Sequence, residues 1–276
     1  MKISSDFRAE ARAALRGRWP LAVLAGFLAA LLGGSLSSGV STGSSFSPEE
    51  ISENLSALPS DLAASLTAAL TAGAFAVVGY CIVLLIVGGA AALGYARFNL
   101  NLIDGREANL GDLISHFHRL GTGFMMRLLT GIYTALWTML FIIPGIIKSY
   151  SYAMTPYILC EHPEWSADEA ITESRSLMDG NKFRLFCLEF SFIGWEILCS
   201  LPSTILVSAA SAAFPYNPTG SLIAFLFAVP LCAGYLVLNP YREAARAAFY
   251  REISRRTATE SAQQEEQEEK KEEENV

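Results

Sequence analysis

The chain has 276 residues, 52% of them hydrophobic and only 17% charged, with a mean hydropathy of +0.34. That balance excludes a disordered chain, a disulfide scaffold and a basic nucleic-acid binder, and it points to a membrane protein. The net charge of −7 belongs to the C-terminal end, because residues 257–276 hold eight Glu and two Lys and residues 1–256 are within one charge of neutral.

In chain order, the first predicted element is an amphipathic interfacial helix, 3–18. Ile3, Phe7, Ala11, Ala14 and Leu15 share one face, and Arg8, Arg12 and Arg16 form an i, i+4 row on another. A charge-free span follows at 20–36, with Gly26, Ala30 and Gly34 as a small-residue packing stripe. A signal peptide is the competing reading. The long amphipathic segment before it, and the poor cleavage match at Gly33-Gly34-Ser35, favour an uncleaved span. Residues 37–66 read as an external Ser-rich connector. Within it, Ser47-Pro48-Glu49-Glu50 forms a capping box that predicts a short outer helix over 48–58. The second span is 67–96. The second interfacial helix, 109–120, carries Leu110, Leu113, Ile114 and Phe117.

Residues 123–160 are too many for one membrane crossing, which takes roughly 20 residues. They read as spans 124–143 and 146–160 turning at Pro144-Gly145, or as one helix kinked at Pro144. A third interfacial helix, 167–179, opens with the capping box Ser166 to Glu169, behind Trp165 in the staple position. Spans 184–212 and 220–239 follow, then a basic amphipathic helix 240–256 and a disordered acidic cytoplasmic tail 257–276.

Charge selects the hairpin over the kink. With six spans and both termini inside, 19 of the 20 Lys and Arg are cytoplasmic, and Lys148 alone lies outside. The three interfacial helices each end in glycine followed closely by an aromatic: Gly17 and Trp19, Gly121 to Phe124, and Gly180 with Phe183. The expected architecture is therefore all-α and polytopic, with three repeats of an interfacial helix plus a helical hairpin.

Catalytic and metal motifs are missing. Cys81, Cys160, Cys187, Cys199 and Cys232 are scattered and read as small apolar residues. His116 and His118 point about 200° apart on a helix, and His162 is isolated. No P-loop, G-x-S-x-G or H-E-x-x-H motif is present. Glu189 and Glu196, two turns apart on the fifth span, are the strongest polar candidates, with Lys148 as a third member. An intramembrane carboxylate marks either an ion, proton or lipid-headgroup site or a protonated structural contact.

Phe141-Ile-Ile-Pro144-Gly145-Ile-Ile-Lys148 and the following Ser-Tyr150-Ser-Tyr152-Ala-Met154-Thr-Pro156-Tyr157 are distinctive. So are Ala170, Ser174, Leu177-Met178, Gly180-Asn181, Gly194-Trp195 and Arg246-Ala-Ala-Phe249-Tyr250. In this order they resemble the bacterial integral membrane family of unknown function number 975, from Arg8 to Ile253. A looser likeness, through Ile-Pro-Gly, Ser166, Glu169-Ala170, Ser174, Leu177 and Gly180-Asn181, is to the membrane region of glycerophosphodiester phosphodiesterases, without their catalytic barrel. The resemblance implies a polytopic inner-membrane protein with no assigned activity.

The expected protein is a non-enzymatic membrane scaffold or accessory subunit of the bacterial cytoplasmic membrane. Its expected partners are membrane lipids and a membrane protein, with no nucleic acid and no cofactor. A small transporter or lipid-handling protein using Glu189, Glu196 and Lys148 is the alternative.

Overall fold

A computed structural model describes residues 2–34, 60–213 and 233–274. The expected outer helix 48–58, most of the connector 37–66 and most of the span 220–239 lie outside the described residues. Among the described residues the chain is all-helical, with eight helices of ten or more residues and two shorter ones.

Helix α1 (Ser4–Leu15) and helix α2 (Trp19–Leu31) meet at a 105° bend. Gly17 sits at that bend with φ +80°, a left-handed conformation that side chains resist. Pro20 lies in the first turn of α2, where no backbone N–H is needed. The helix stops before Gly33, at φ +72°. The expected span 20–36 is therefore a 13-residue helix, about 20 Å long and too short to cross by itself. Ala22, Ala25, Gly26 and Ala29 form its buried face, and Ala30 of the expected stripe is exposed.

Helix α3 (Ser60–Ile103) overruns the expected 67–96 at both ends. Its second half is thin by sequence, Gly88-Gly89-Ala90-Ala91-Ala92-Leu93-Gly94, so neighbouring backbones touch it. A Cβ on Gly89 would overlap the Gly123 carbonyl, and one on Gly94 would overlap the Leu113 carbonyl.

The expected interfacial helix 109–120 is split into helix α4 (Gly111–Ile114) and a 3-10 turn, Phe117–Arg119. Gly121 and Gly123 are not C-caps. They lie inside helix α5 (Leu120–Leu140), where Gly123 meets α3.

The hairpin turns at Phe141, whose backbone is extended, and not at Pro144-Gly145. Helix α6 (Ile142–Ser151) carries Pro144 in its first turn. A proline has no N–H for the carbonyl four residues back, so the incoming helix ends at Leu140. Gly145 then lets α6 pack on α5, since a Cβ there would overlap the Thr138 hydroxyl. The same logic splits the expected span 146–160. Pro156 stands four residues after Tyr152, and helix α7 (Thr155–Glu161) starts after that break.

Helix α8 (Ala167–Leu177) begins at Ser166 as expected. The Ser166 Oγ accepts from Glu169 N at 3.3 Å, and Glu169 Oε2 accepts from Ser166 N at 2.7 Å. Gly180, at φ +71°, follows its end, and Asn181 Nδ2 donates to the Leu177 carbonyl at 3.1 Å. Buried Ser174 stitches α8 to the α6–α7 break. Its hydroxyl donates to the Ser151 carbonyl (2.9 Å) and accepts from Met154 N (3.3 Å).

Helix α9 (Lys182–Ala213) contains the expected 184–212. Helix α10 (Ala233–Glu274) absorbs both the basic helix 240–256 and the acidic tail, which is helical to Glu274 rather than disordered. Helix-forming Ala, Gln, Glu and Lys dominate that stretch, and Arg256–Glu260 and Lys270–Glu266 pair at i, i+4.

The core surrounds the middle of α10. Ala244, Ala245, Ala248, Phe249, Tyr250 and Ile253 are buried under α1, α2, α3 and α9. Phe7 meets Phe249 edge-on at 5.3 Å, and Tyr241 packs with Trp19 and Phe192. Large apolar side chains are exposed elsewhere: Phe75 and Val78 on α3, Met139, Phe141 and Ile143 at the α5–α6 turn, and Leu198 on α9. Apolar surface on that scale is what a protein interface or a membrane covers. By length and composition two helices can cross a membrane, over Thr71–Ile103 and Lys182–Leu206. The bent α1–α2 pair is a third candidate.

Candidate functional site

The two sequence-selected carboxylates do come together with partners, but not with Lys148. Helices α9 and α10 pair their charges in opposite chain directions, as antiparallel neighbours do. Arg246 Nε lies 3.0 Å from Glu189 Oε1, and Arg242 bonds Glu196. Glu243, also buried, lies 3.3 Å from Arg246. The Glu189 contact is an ion pair without hydrogen-bond alignment at Nε. Glu196 therefore has an arginine of α10 as its partner. Lys148 sits over the Trp137 ring at 4.9 Å instead.

Beside this ladder is a cleft of about 510 Å³ between α5, α6, α7, α9 and α10. Arg127, Glu189, Arg242 and Arg246 supply its charges, and Thr130 and Tyr150 are among its hydroxyls. Arg127 reaches across to bond the Gly33 carbonyl. Glu196 is not on the wall of the cleft.

A second cluster lies two to three turns further along α10. Arg251 bridges Asp104 (2.5 Å) and Glu161, and Tyr250 donates to Glu161 at 2.5 Å. Burial works against the Arg251 charge, but the Glu161 and Asp104 carboxylates outweigh it and hold its pKa up. Burial, then the Glu161 contact, pushes the Tyr250 hydroxyl up. Arg184 joins Glu252 at 2.8 Å and lies over Phe249. These networks clamp α10 to α3, α7 and α9.

Residues 139–257 match the model of a family described as a protein of unknown function, DUF975. The chain resembles that family over this segment, which runs from the end of α5 into α10. The DUF975 segment holds Pro144, Gly145, Ser166, Glu169, Gly180, Asn181 and Trp195, and most of their positions have structural explanations. Pro144 sets the hairpin, Ser166 and Glu169 start α8, and Gly180 and Asn181 end it. Trp195 is 54% exposed on the apolar face of α9. The segment supplies Glu189, Arg242 and Arg246 to the cleft, whereas Arg127 and Thr130 come from outside it. The match is narrower than the expected Arg8 to Ile253. No curated protein and no solved structure matches the chain. Nothing in these comparisons supports the phosphodiesterase likeness.

Sequence reasoning missed Arg242, Glu243, Arg246 and Arg127 as site members. The signal available was Arg242 and Arg246 one turn apart, immediately after the apolar run that ends at Asn239. Cys81, Cys160, Cys187 and Cys199 are free thiols, and no metal-holding group of His, Cys, Asp or Glu occurs among the described residues.

Proposed function

We propose that the protein is a six-span protein of the bacterial inner membrane with both termini cytoplasmic, its short α2 crossing where the bilayer thins around it. On this reading it acts non-enzymatically, as a scaffold or accessory subunit working through lipid and protein contacts. The observation that carries it is the division of α10. Through Ile253 the helix is the clamped centre of the bundle, and residues 255–268 are exposed as an acidic arm. A helix anchored at one end and solvated at the other is suited to hold a basic partner surface at a fixed distance from the membrane. The apolar surface on α3, α9 and the α5–α6 turn supports the membrane placement, and the left-handed Gly17 and Gly180 after α1 and α8 support a repeated unit.

Two experiments test it. Reporter fusions after Gly145 and after Arg175 should report outside and inside respectively, and an outside signal from the second overturns six spans. Photo-crosslinkers at 260, 264 and 267 in native membranes should give a discrete adduct. It should vanish when Glu265, Glu266, Glu268 and Glu269 are changed to Lys. A full set of sites without any adduct, in membranes where the protein is abundant, overturns the scaffold reading.

A further inference from the structure

We propose that the cleft between α5, α6 and α10 binds a phosphate-bearing anion, held by Arg127 and Arg246. Three guanidinium groups line this cleft against one carboxylate, Glu189. Arg246 is shared by Glu189 and Glu243, and Arg242 is paired with Glu196, so the positive charge that faces the cleft without a carboxylate of its own is that of Arg127. Arg127 pairs with no carboxylate among the described residues, and its bond there is to the Gly33 carbonyl. A half-buried guanidinium on an otherwise apolar helix is costly without a counter-ion. The fork of a guanidinium matches the oxygens of a phosphate better than it matches a spherical anion. The volume of about 510 Å³ admits a headgroup-sized ligand. Met126 and Ile146 on the wall give the cleft apolar surface beside its charges, which suits an amphiphile. The phosphate could equally be free, and the two sources are separated below. The site stands independently of the cytoplasmic arm.

Gly131 provides a clean test. It lines the cleft, and a Cβ there meets nothing within 4 Å, so Gly131→Leu fills the space while leaving every ion pair in place. Gly194 on α9 is equally open and lies outside the cleft, so Gly194→Leu is the control. The full-length protein in an uncharged detergent is titrated with phosphatidylglycerol, with diacylglycerol and with inorganic phosphate, and bound ligand is read by native mass spectrometry. Phosphatidylglycerol should bind and diacylglycerol should not. Gly131→Leu and Arg127→Gln should each weaken binding about tenfold or more, with Gly194→Leu unchanged. Phosphatidylglycerol that resists displacement by inorganic phosphate identifies a lipid ligand. Displacement at matched concentration identifies free phosphate, with the site intact. Equal binding of diacylglycerol, or unchanged binding in both Gly131→Leu and Arg127→Gln, overturns the site.

Discussion

His116 shows how a single residue departs from its sequence pattern. It is buried in the 3-10 connection, with Nδ1 2.9 Å from Ser115 Oγ and its ring stacked near His118. Burial first, then Arg97, Arg119 and His118, lowers its pKa from 6.5 to about 4, with Asp112 opposing weakly. The folded state therefore resists a proton that the unfolded chain accepts. Above pH 6.5 the residue is neutral in both states and contributes no pH dependence. As pH falls from 6.5 toward 4, stability drops, and below that its contribution levels off. Thermal unfolding in detergent at pH 7, 5.5 and 4 should show this decline, and His116→Gln should flatten part of it. Equal slopes in the two proteins would exclude the role. At this scale the sequence exposed Glu189 and Glu196 as anomalies, because a charge within an apolar run stands out in one dimension. Their arginines did not stand out, since a basic residue near a span end is common.

At the scale of elements, capping chemistry was legible and breaks were legible to within a few residues. Ser166–Glu169 and Gly180 work as local interactions, so their geometry follows from local sequence. Pro144 correctly signalled a hairpin, but the turn itself moved to Phe141, because a proline forbids the hydrogen bond behind it rather than the one at its own position. Gly121 and Gly123 were misread as helix ends. Glycine serves both to end a helix and to admit a neighbour, and only the packing of α3 against α5 separates the two uses. Gly89→Ala should therefore force those helices apart and cost about 1–3 kcal/mol. Unfolding measured in detergent checks this, and Gly73→Ala, at a position open in the structure, should not destabilise the protein. An equal effect at the two positions would refute the close-packing account.

At the scale of the molecule, α10 connects everything, and α1 is its lid. Phe7, Ala11 and Leu15 cover Ala244–Ile253, Arg12 and the Arg8 carbonyl hold the Tyr241 hydroxyl, and Arg184 reaches the Lys2 carbonyl. Deleting residues 2–16 should uncover that segment and raise amide hydrogen exchange across Ala244–Ile253 at least about tenfold, the equivalent of one apolar side chain's burial. Unchanged protection would mean that α10 is held by its ion pairs alone.

The sequence by itself determined the helical class, the apolar runs, the caps and the concentration of negative charge in the last 20 residues. Each follows from composition or from interactions within one or two turns. Only the tertiary structure decided that the acidic segment is a helix continuous with the core and that α2 is half-length. It alone paired Glu189 with Arg246 and Glu196 with Arg242, and it alone brought Arg127 to the same cleft. Those residues lie 46 to 119 positions apart, and such separations leave no periodic trace along the chain.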